Sequence, residues 1–302
     1  MGLTAQEYSP AFSPPLGESY AEDSRVPDPR FLFTMPGFPR KLMSTFAGAM
    51  ARLWIPASLR RPLWSALGKR LGVDPKTLPD DLRAFPTFLS FFTRPLPDGT
   101  RPIPEEAVWL SPSDGILVDA ATLHPEGSFL MKGTPYSISE MLPGIALSEV
   151  ENYQAFQIYL APRDYHRFHA PCDLHIEKAT TCPGDLLPVD PGLVRRSMRV
   201  LTKNRRILLH CRDNKGRWFG LLFVGALNVG QMRFCFDSTL GLSPLAPGNR
   251  SYGPPHTLSV GEELGRFEFG STVVLFVPPD LECQLSLGDK CLARATRLFA
   301  PK

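Results

Sequence analysis

The sequence predicts an α+β protein: an N-terminal amphipathic helical region followed by a compact β-rich domain, a sandwich or partly closed barrel. Three observations carry this expectation. Apolar residues recur near helical spacing between residues 40 and 72. From about residue 105 onward, short apolar runs alternate with turns rich in Gly, Pro and Asp. Finally, 32 of the 302 residues are proline, about twice the usual share of roughly 5%, which favours many short elements over a helix bundle. With 43% hydrophobic and 21% charged residues, the chain can build one large core or two smaller ones.

Taken in order, residues 1–30 are rich in Pro, Ser and acidic side chains and read as a disordered extension. Glu7, Glu18, Glu22, Asp23 and Asp28 argue against a mitochondrial presequence there, and no charged-then-apolar leader pattern stands at the start. A helical region is expected over 31–95. Leu42, Phe46, Leu53 and Trp54 form a first apolar stripe, which Pro56 stops at or before Ile55. Ser58 is the expected cap of a second helix, with Pro62 in its first turn, Leu63, Trp64, Leu67 and Leu71 on its apolar face and Gly72 as terminator. The β-rich domain is expected over 96–302. Its strand candidates are Ile116–Ala121, Phe156–Ala161, Leu174–Ala179, Arg206–Cys211, Trp218–Ala226, Met232–Phe236 and Thr272–Val277.

The net charge of +3 is unevenly spread. Arg40, Lys41, Arg52, Arg60, Arg61, Lys69 and Arg70 fall in a span without Asp or Glu, so the rest of the chain is net acidic. An apolar face with two tryptophans and seven uncompensated cations suits an anionic lipid surface. A helical subdomain packed on the core behind a solvated basic rim fits the same residues. A nucleic-acid surface is disfavoured, because the cations lack interleaved stacking aromatics. Cysteines 172, 182, 211, 235, 283 and 291 form no C-x-x-C pair and read as reduced thiols of a cytosol-facing protein. No stretch of 18 apolar residues occurs, so no spanning helix is expected.

Three segments hold candidate chemistry. Ser111-Pro-Ser-Asp-Gly115 is a turn entering a strand, and Asp-Gly alone is an ordinary turn pair. His166-Arg-Phe-His169 places two imidazoles three residues apart, on one face if the segment is a helical turn. With Cys172 and Cys182 they make only a poor zinc set, and no metal is assigned. The histidines can instead hydrogen-bond in a packed turn, or hold a general base beside a nucleophile. The third segment is Gly270-Ser271, at the mouth of the strand Thr272–Val277. The hydrolase elbow G-x-S-x-G is absent. A serine directly after glycine has another option: its hydroxyl can attack the preceding carbonyl, where glycine tolerates the distorted backbone.

Together these segments resemble the phosphatidylserine decarboxylases of bacterial and mitochondrial type. The likeness runs from about residue 39 to the end. It takes in Phe91-Phe-Thr-Arg-Pro-Leu96, Arg101-Pro-Ile103, Ser111–Gly115, Lys132-Gly133 with Tyr136-Ser137, and Arg163–His169. It continues through Pro183–Leu186, Val224–Ala226 and Gly261–Phe267 to Gly270-Ser-Thr272. Departures are Ser113, Thr134, Arg205 and Phe269, where relatives usually carry Ala, His, Glu and Leu.

The resemblance implies a self-cleaving proenzyme. Asp114 would orient His169, His169 would deprotonate Ser271, and Ser271 would attack Gly270. β-Elimination of the resulting ester would leave a large chain, 1–270, and a small chain, 271–302, whose dehydroalanine at 271 takes up water and loses ammonia to become a pyruvoyl group. The implied reaction joins that group to the amine of phosphatidylserine as a Schiff base and releases CO₂ and phosphatidylethanolamine. His166, or His169 in a second role, would return the proton. The resemblance also implies a homodimer, and peripheral attachment at the cytoplasmic face of a bacterial inner membrane or, alternatively, at the mitochondrial inner membrane. It favours the lipid reading of the helical region, with Leu42, Phe46, Trp54, Leu63 and Trp64 as membrane contacts. Competing readings are a pyruvoyl decarboxylase of a soluble amino acid and a non-catalytic lipid-binding module.

Overall fold

A computed structural model describes Met35 and residues 37–105, 109–131, 133–190, 199–226, 231–242, 245–268 and 271–302. The extension expected over 1–30 lies outside the described residues, as do Phe269 and Gly270. Helices α1 (Arg40–Ala51), α2 (Ala57–Leu71) and α3 (Phe88–Phe92) come first. Strands β1 (Trp109–Leu110), β2 (Gly115–Thr122), β3 (Ser128–Met131) and β4 (Thr134–Ser137) follow, then α4 (Ile138–Met141). Next come β5 (Gln154–Leu160), β6 (Arg167–His169), β7 (Leu174–Cys182), α5 (Val200–Lys203), β8 (Arg206–Asp213) and β9 (Trp218–Gly225). The chain closes with β10 (Gln231–Phe234), β11 (Gly248–Leu258), β12 (Glu263–Glu268), β13 (Ser271–Val277), β14 (Leu281–Cys283), β15 (Lys290–Cys291) and β16 (Arg297–Pro301). All seven expected runs are strands.

The strands form an eight-stranded sheet in the order β11-β7-β8-β9-β13-β5-β2-β15, two three-stranded sheets, β10-β12-β6 and β1-β16-β14, and the hairpin β3-β4. The large sheet ends in β11 and β15 and does not close into a barrel. It is also more than one leaf of a two-layer sandwich. On one face Phe156, Ile158, Leu221, Val273 and Leu275 pack with Phe168, Phe267 and Phe299 of the small sheets. On the other, Leu208, Leu222, Val274 and Phe276 pack with Phe129, Tyr136, Met141 and Leu201. Burial on both faces explains why β9 and β13 are unbroken apolar runs instead of alternating strands.

The helical region has a small core of its own around Trp64, Phe85 and Phe91. The Trp64 indole N–H donates to the Phe85 carbonyl at 3.0 Å, and its ring stacks on Phe91. Two expectations are corrected. The residue capping α2 is Pro56, with no side-chain cap, and Ser58 lies inside the helix. Pro62 sits at the sixth position, where its missing N–H releases the Ser58 carbonyl; Pro62 is exposed, so water can take that acceptor. Gly72, at φ +74°, closes α2 in the left-handed conformation.

Candidate active site

The sheet order brings two crossovers to one corner. The chain leaves the large sheet after Leu160 and enters the β10-β12-β6 sheet at Arg167. It leaves that small sheet after Glu268 and re-enters the large one at Ser271. Strands β5 and β13 are antiparallel neighbours with Ser271 opposite Leu160, and β6 pairs with β12. The Phe267 N–H donates to the His166 carbonyl at 2.9 Å, and the four residues from there to Ser271 span at most about 14 Å. Segment 161–166 therefore starts beside Ser271 and ends beside Phe267, tied by backbone pairing at both ends. Gly270 itself lies outside the described residues.

Further bonds fix the corner. Asp164 accepts the Ala161 N–H at 2.7 Å, and the Asp164 N–H returns to the Ala161 carbonyl at 2.9 Å. Burial pushes the Asp164 carboxyl up from its usual range. On the other flank Ser271 faces Gly225 across β9. The buried Asn204 side chain donates to the carbonyls of Gly225 and Leu187, both at 2.8 Å, and accepts from the Leu187 N–H at 2.9 Å.

The two histidines do not share a helical face. Residues 167–169 are a strand, and side chains three apart on a strand point to opposite sides. The His169 Nδ1–H donates to the Gly261 carbonyl at 3.0 Å, leaving Nε2 as the acceptor of the Tyr165 hydroxyl, also at 3.0 Å. The His166 Nδ1–H donates to the Asp164 carbonyl at 2.8 Å, and its ring lies 4.0 Å from that of Phe92. Its Nε2 is buried and has no hydrogen-bond partner among the described residues. Thr272 Oγ1, one residue past the junction serine, is buried and unpartnered as well.

Asp114 does not touch His169. Both of its oxygens accept from the Arg101 guanidinium, the Nη2–Oδ2 bond being 2.9 Å, and Oδ1 also accepts the Ala293 N–H at 2.9 Å. A carboxylate this buried needs a buried cation, and Arg101 supplies it. The link to His169 is indirect: the Arg101 guanidinium lies 5.8 Å from the centre of the Tyr165 ring, whose hydroxyl holds His169. Gly115, at φ +146°, cannot be replaced, since a Cβ would meet the Tyr159 carbonyl oxygen at 2.3 Å.

Desolvation, ahead of all other causes, pushes the His166 imidazole down to about 3 and that of His169 to about 4. An unfolded imidazole titrates near 6.5. Both rings therefore support the fold fully above pH 6.5, and the support drains away as pH falls toward 4, where the unfolded chain binds protons the folded one refuses. For two groups the slope approaches about 3 kcal/mol per pH unit. Urea midpoints of the uncut protein are expected to fall steadily from pH 7 to pH 5. A flat profile would show that the rings are not buried neutral.

Most of the expected membrane contacts lie outward. Leu42, Phe46 and Trp54 are 71%, 67% and 66% exposed, and Leu63 is 42% exposed. Trp64, at 1%, is corrected: it is the centre of the helical core and faces no solvent. Helix α1 is inverted relative to a core helix, burying the small Ser44, Gly48 and Ala51 and presenting the large Leu42, Phe46 and Met50. The basic span is also less uncompensated than its sequence suggests. Arg40 pairs with Asp185 at 2.6 Å and Arg52 with Glu268 at 2.5 Å, while Arg60 donates to the Ile55 and Arg83 carbonyls.

Sequence reasoning did not single out Arg101, Tyr165, Asn204, Thr272 or Phe92 as site residues. Arg101, Phe92, Tyr165 and Thr272 stood inside quoted motifs, and only the need of a buried Asp for a cation pointed toward Arg101. Of the quoted run 91–94, Phe92 packs on His166, the Thr93 carbonyl accepts Arg167 Nε at 2.9 Å, and Arg94 binds Thr77.

A family model described as phosphatidylserine decarboxylase matches residues 88–298. The chain belongs to the phosphatidylserine decarboxylase family. Relatives named phosphatidylserine decarboxylase proenzyme agree. That of Helicobacter pylori (strain ATCC 700392 / 26695) is 33% identical over 239 residues, 78% of this chain and 88% of its own. That of Halorhodospira halophila is 36% identical over 248 residues, 80% and 82% of the two chains. That of Myxococcus xanthus is 32% identical over 270 residues, 88% and 96%. The decarboxylase family match opens on the first residue of α3, so Asp114, His166, His169 and Ser271 fall inside it while α1 and α2 precede it.

Proposed function

We propose that this chain is a self-processing proenzyme that decarboxylates phosphatidylserine to phosphatidylethanolamine and CO₂. The observation that supports the reading most is the corner itself: the chain from Leu160 to His169 begins opposite Ser271 of β13 and ends paired with β12, the strands that flank the junction in sequence. In processing, Ser271 attacks the Gly270 carbonyl carbon, and the proton it loses passes to a neutral imidazole. His169 is assigned that base. Its Nδ1–H is fixed on Gly261, so its Nε2 lone pair can receive a proton once the Tyr165 hydroxyl turns aside or relays it.

The residues at the corner fit a pyruvoyl group formed at position 271. Thr272 Oγ1 and His166 Nε2 are buried polar atoms without a partner among the described residues, and this reading reserves them for that group's carbonyl oxygens and the incoming amine. That group supplies an electron sink for the carbon that loses CO₂. His166 is assigned the proton transfer: its Nε2 takes a proton from the incoming ammonium and returns it to carbon after CO₂ leaves. His169 is less suited to this second role, because Tyr165 occupies its Nε2. Arg101, Asp114 and Tyr165 act as positioning residues.

The exposed stripe of Leu42, Phe46, Met50, Leu53 and Trp54 supports attachment to a bilayer surface, as does Arg60, whose guanidinium lies 5.4 Å from the Trp54 ring centre. No described helix is long and apolar enough to cross a membrane. The stripe favours a lipid substrate over a soluble amino acid.

Intact-mass measurement and CO₂ release test the reading together. The mature protein is expected as two chains divided between 270 and 271, the small one blocked at its N-terminus. It should release CO₂ from phosphatidylserine in detergent micelles and not from free serine or aromatic amino acids. An unbroken, active chain would overturn the mechanism, and activity on free amino acids alone would overturn the substrate.

A further inference from the structure

We propose that a cavity beside the corner is an anion subsite that takes the phosphodiester of the lipid headgroup, with Arg163 and Lys290 as its ligands. The proposal rests on the decarboxylase reading above and names a binding site for that substrate. The cavity, of about 60 Å³, opens between the end of α2 and the 161–165 turn, and Arg101, Asp114, Arg163, Asp164, Tyr165 and Lys290 line its inner side. It has room for a few waters or one phosphate-sized anion, and none for an acyl chain.

The charges lining it divide unequally in use. Asp114 and Arg101 neutralise each other. Asp74 caps the short 3₁₀ turn 75–77 by accepting the Lys76 N–H. Asp164 accepts the Ala161 N–H, and burial pushes its carboxyl up while Arg163 and Lys290 partly oppose that shift. Arg163 approaches Asp164 only to 3.9 Å, too far for a hydrogen bond. Lys290 has no side-chain hydrogen bond or ion pair among the described residues; only the Lys290 backbone is engaged, opposite Ile116. Two cations thus face a polar cavity, both close enough to Asp164 to act on its charge and both with side-chain N–H donors that no described acceptor takes.

The position suits a headgroup. Thr272, Tyr159, Ile116 and Lys290 stand opposite one another in successive strands β13, β5, β2 and β15. Three interstrand steps place the Lys290 backbone about 14 Å from that of Thr272, a span that a lysine side chain and one headgroup fill between them. The chemistry selects the phosphodiester over the carboxylate. The carboxylate loses its charge as CO₂ forms, so a cation on it would hold back the reaction. The phosphodiester keeps its charge throughout and is a neutral handle for binding. After cleavage Arg163 belongs to the large chain and Lys290 to the small one, so both chains would build the subsite.

Steady-state kinetics with phosphatidylserine in mixed micelles test this on Arg163→Ala, Lys290→Ala and the charge-preserving Lys290→Arg. Each alanine variant is expected to raise KM about tenfold, as loss of a charge-assisted hydrogen bond requires, with the loss falling on KM rather than kcat. Lys290→Arg should recover most of it. Inorganic phosphate should compete with substrate on the wild type and lose that effect in the variants, which separates general anion affinity from the lipid. Cleavage into two chains, read on a denaturing gel, confirms that the variants fold. An unchanged KM in cleaved variants, or a fall in kcat at constant KM, overturns the subsite and leaves the decarboxylase reading intact. Absence of CO₂ release by the wild type overturns that reading instead.

Discussion

Replacing Ser271 with alanine is expected to leave one uncut chain of 33.5 kDa with no decarboxylase activity. The effect should be complete, because the residue is both the nucleophile of cleavage and the source of the reactive carbonyl. It should also be selective. Ser271 opens β13, with its backbone paired to Leu160 on one side and Gly225 on the other, and alanine enters a strand without disturbing either ladder. Far-UV circular dichroism and the urea midpoint should match those of uncut wild-type chain. Intact mass and CO₂ release decide the matter: cleavage between 270 and 271 in the alanine variant, or undiminished activity, would remove the serine from the mechanism.

Arg101→Leu should give the second largest effect, this time on the fold. It would leave the Asp114 carboxylate, 3% exposed, with the Ala293 N–H as its one remaining hydrogen-bond donor among the described residues. Removing one member of a buried ion pair typically costs about 3–5 kcal/mol. The variant also takes the cation away from the Tyr165 ring, so His169 should be less firmly held and processing slower. Denaturant titration in a Ser271→Ala background separates the loss of stability from the loss of cleavage. Arg101→Leu combined with Asp114→Leu should recover part of the stability and none of the processing. A single variant as stable as its parent would show that the Arg101–Asp114 pair does not support the fold.

Much of this architecture was legible in the residues. The large sheet is built from unbroken apolar runs such as Leu221–Val224 and Val273–Val277, and burial of both faces makes such runs conspicuous. Strand β11 was not legible. Gly248–Leu258 contains Pro254 and Pro255, is mostly exposed, and owes its extended form to pairing with β7 at a sheet edge. Strands β6 and β12 are short and mixed, and their pairing is a tertiary fact. So is the partner of Asp114: nothing local to residue 114 points to residue 101. Helical spacing located the stripes of α1 and α2 and left their direction open. Trp64 turned inward because Phe85 and Phe91 meet it, whereas Trp54 stayed out. The chemistry of Gly270-Ser271 was visible only as a rare option for a Gly-Ser pair until the family's other motifs stood in order around it.

The seat of β13 between β9 and β5 has a consequence for the life of the molecule. While the backbone is whole, tethering delivers this strand to its slot at no cost in concentration. Once severed, the same strand is a separate partner that a denatured large chain would have to recapture from solution. The working enzyme is then a form that only its own precursor can reach, and a melted copy has lost the instructions for its reassembly along with one peptide bond.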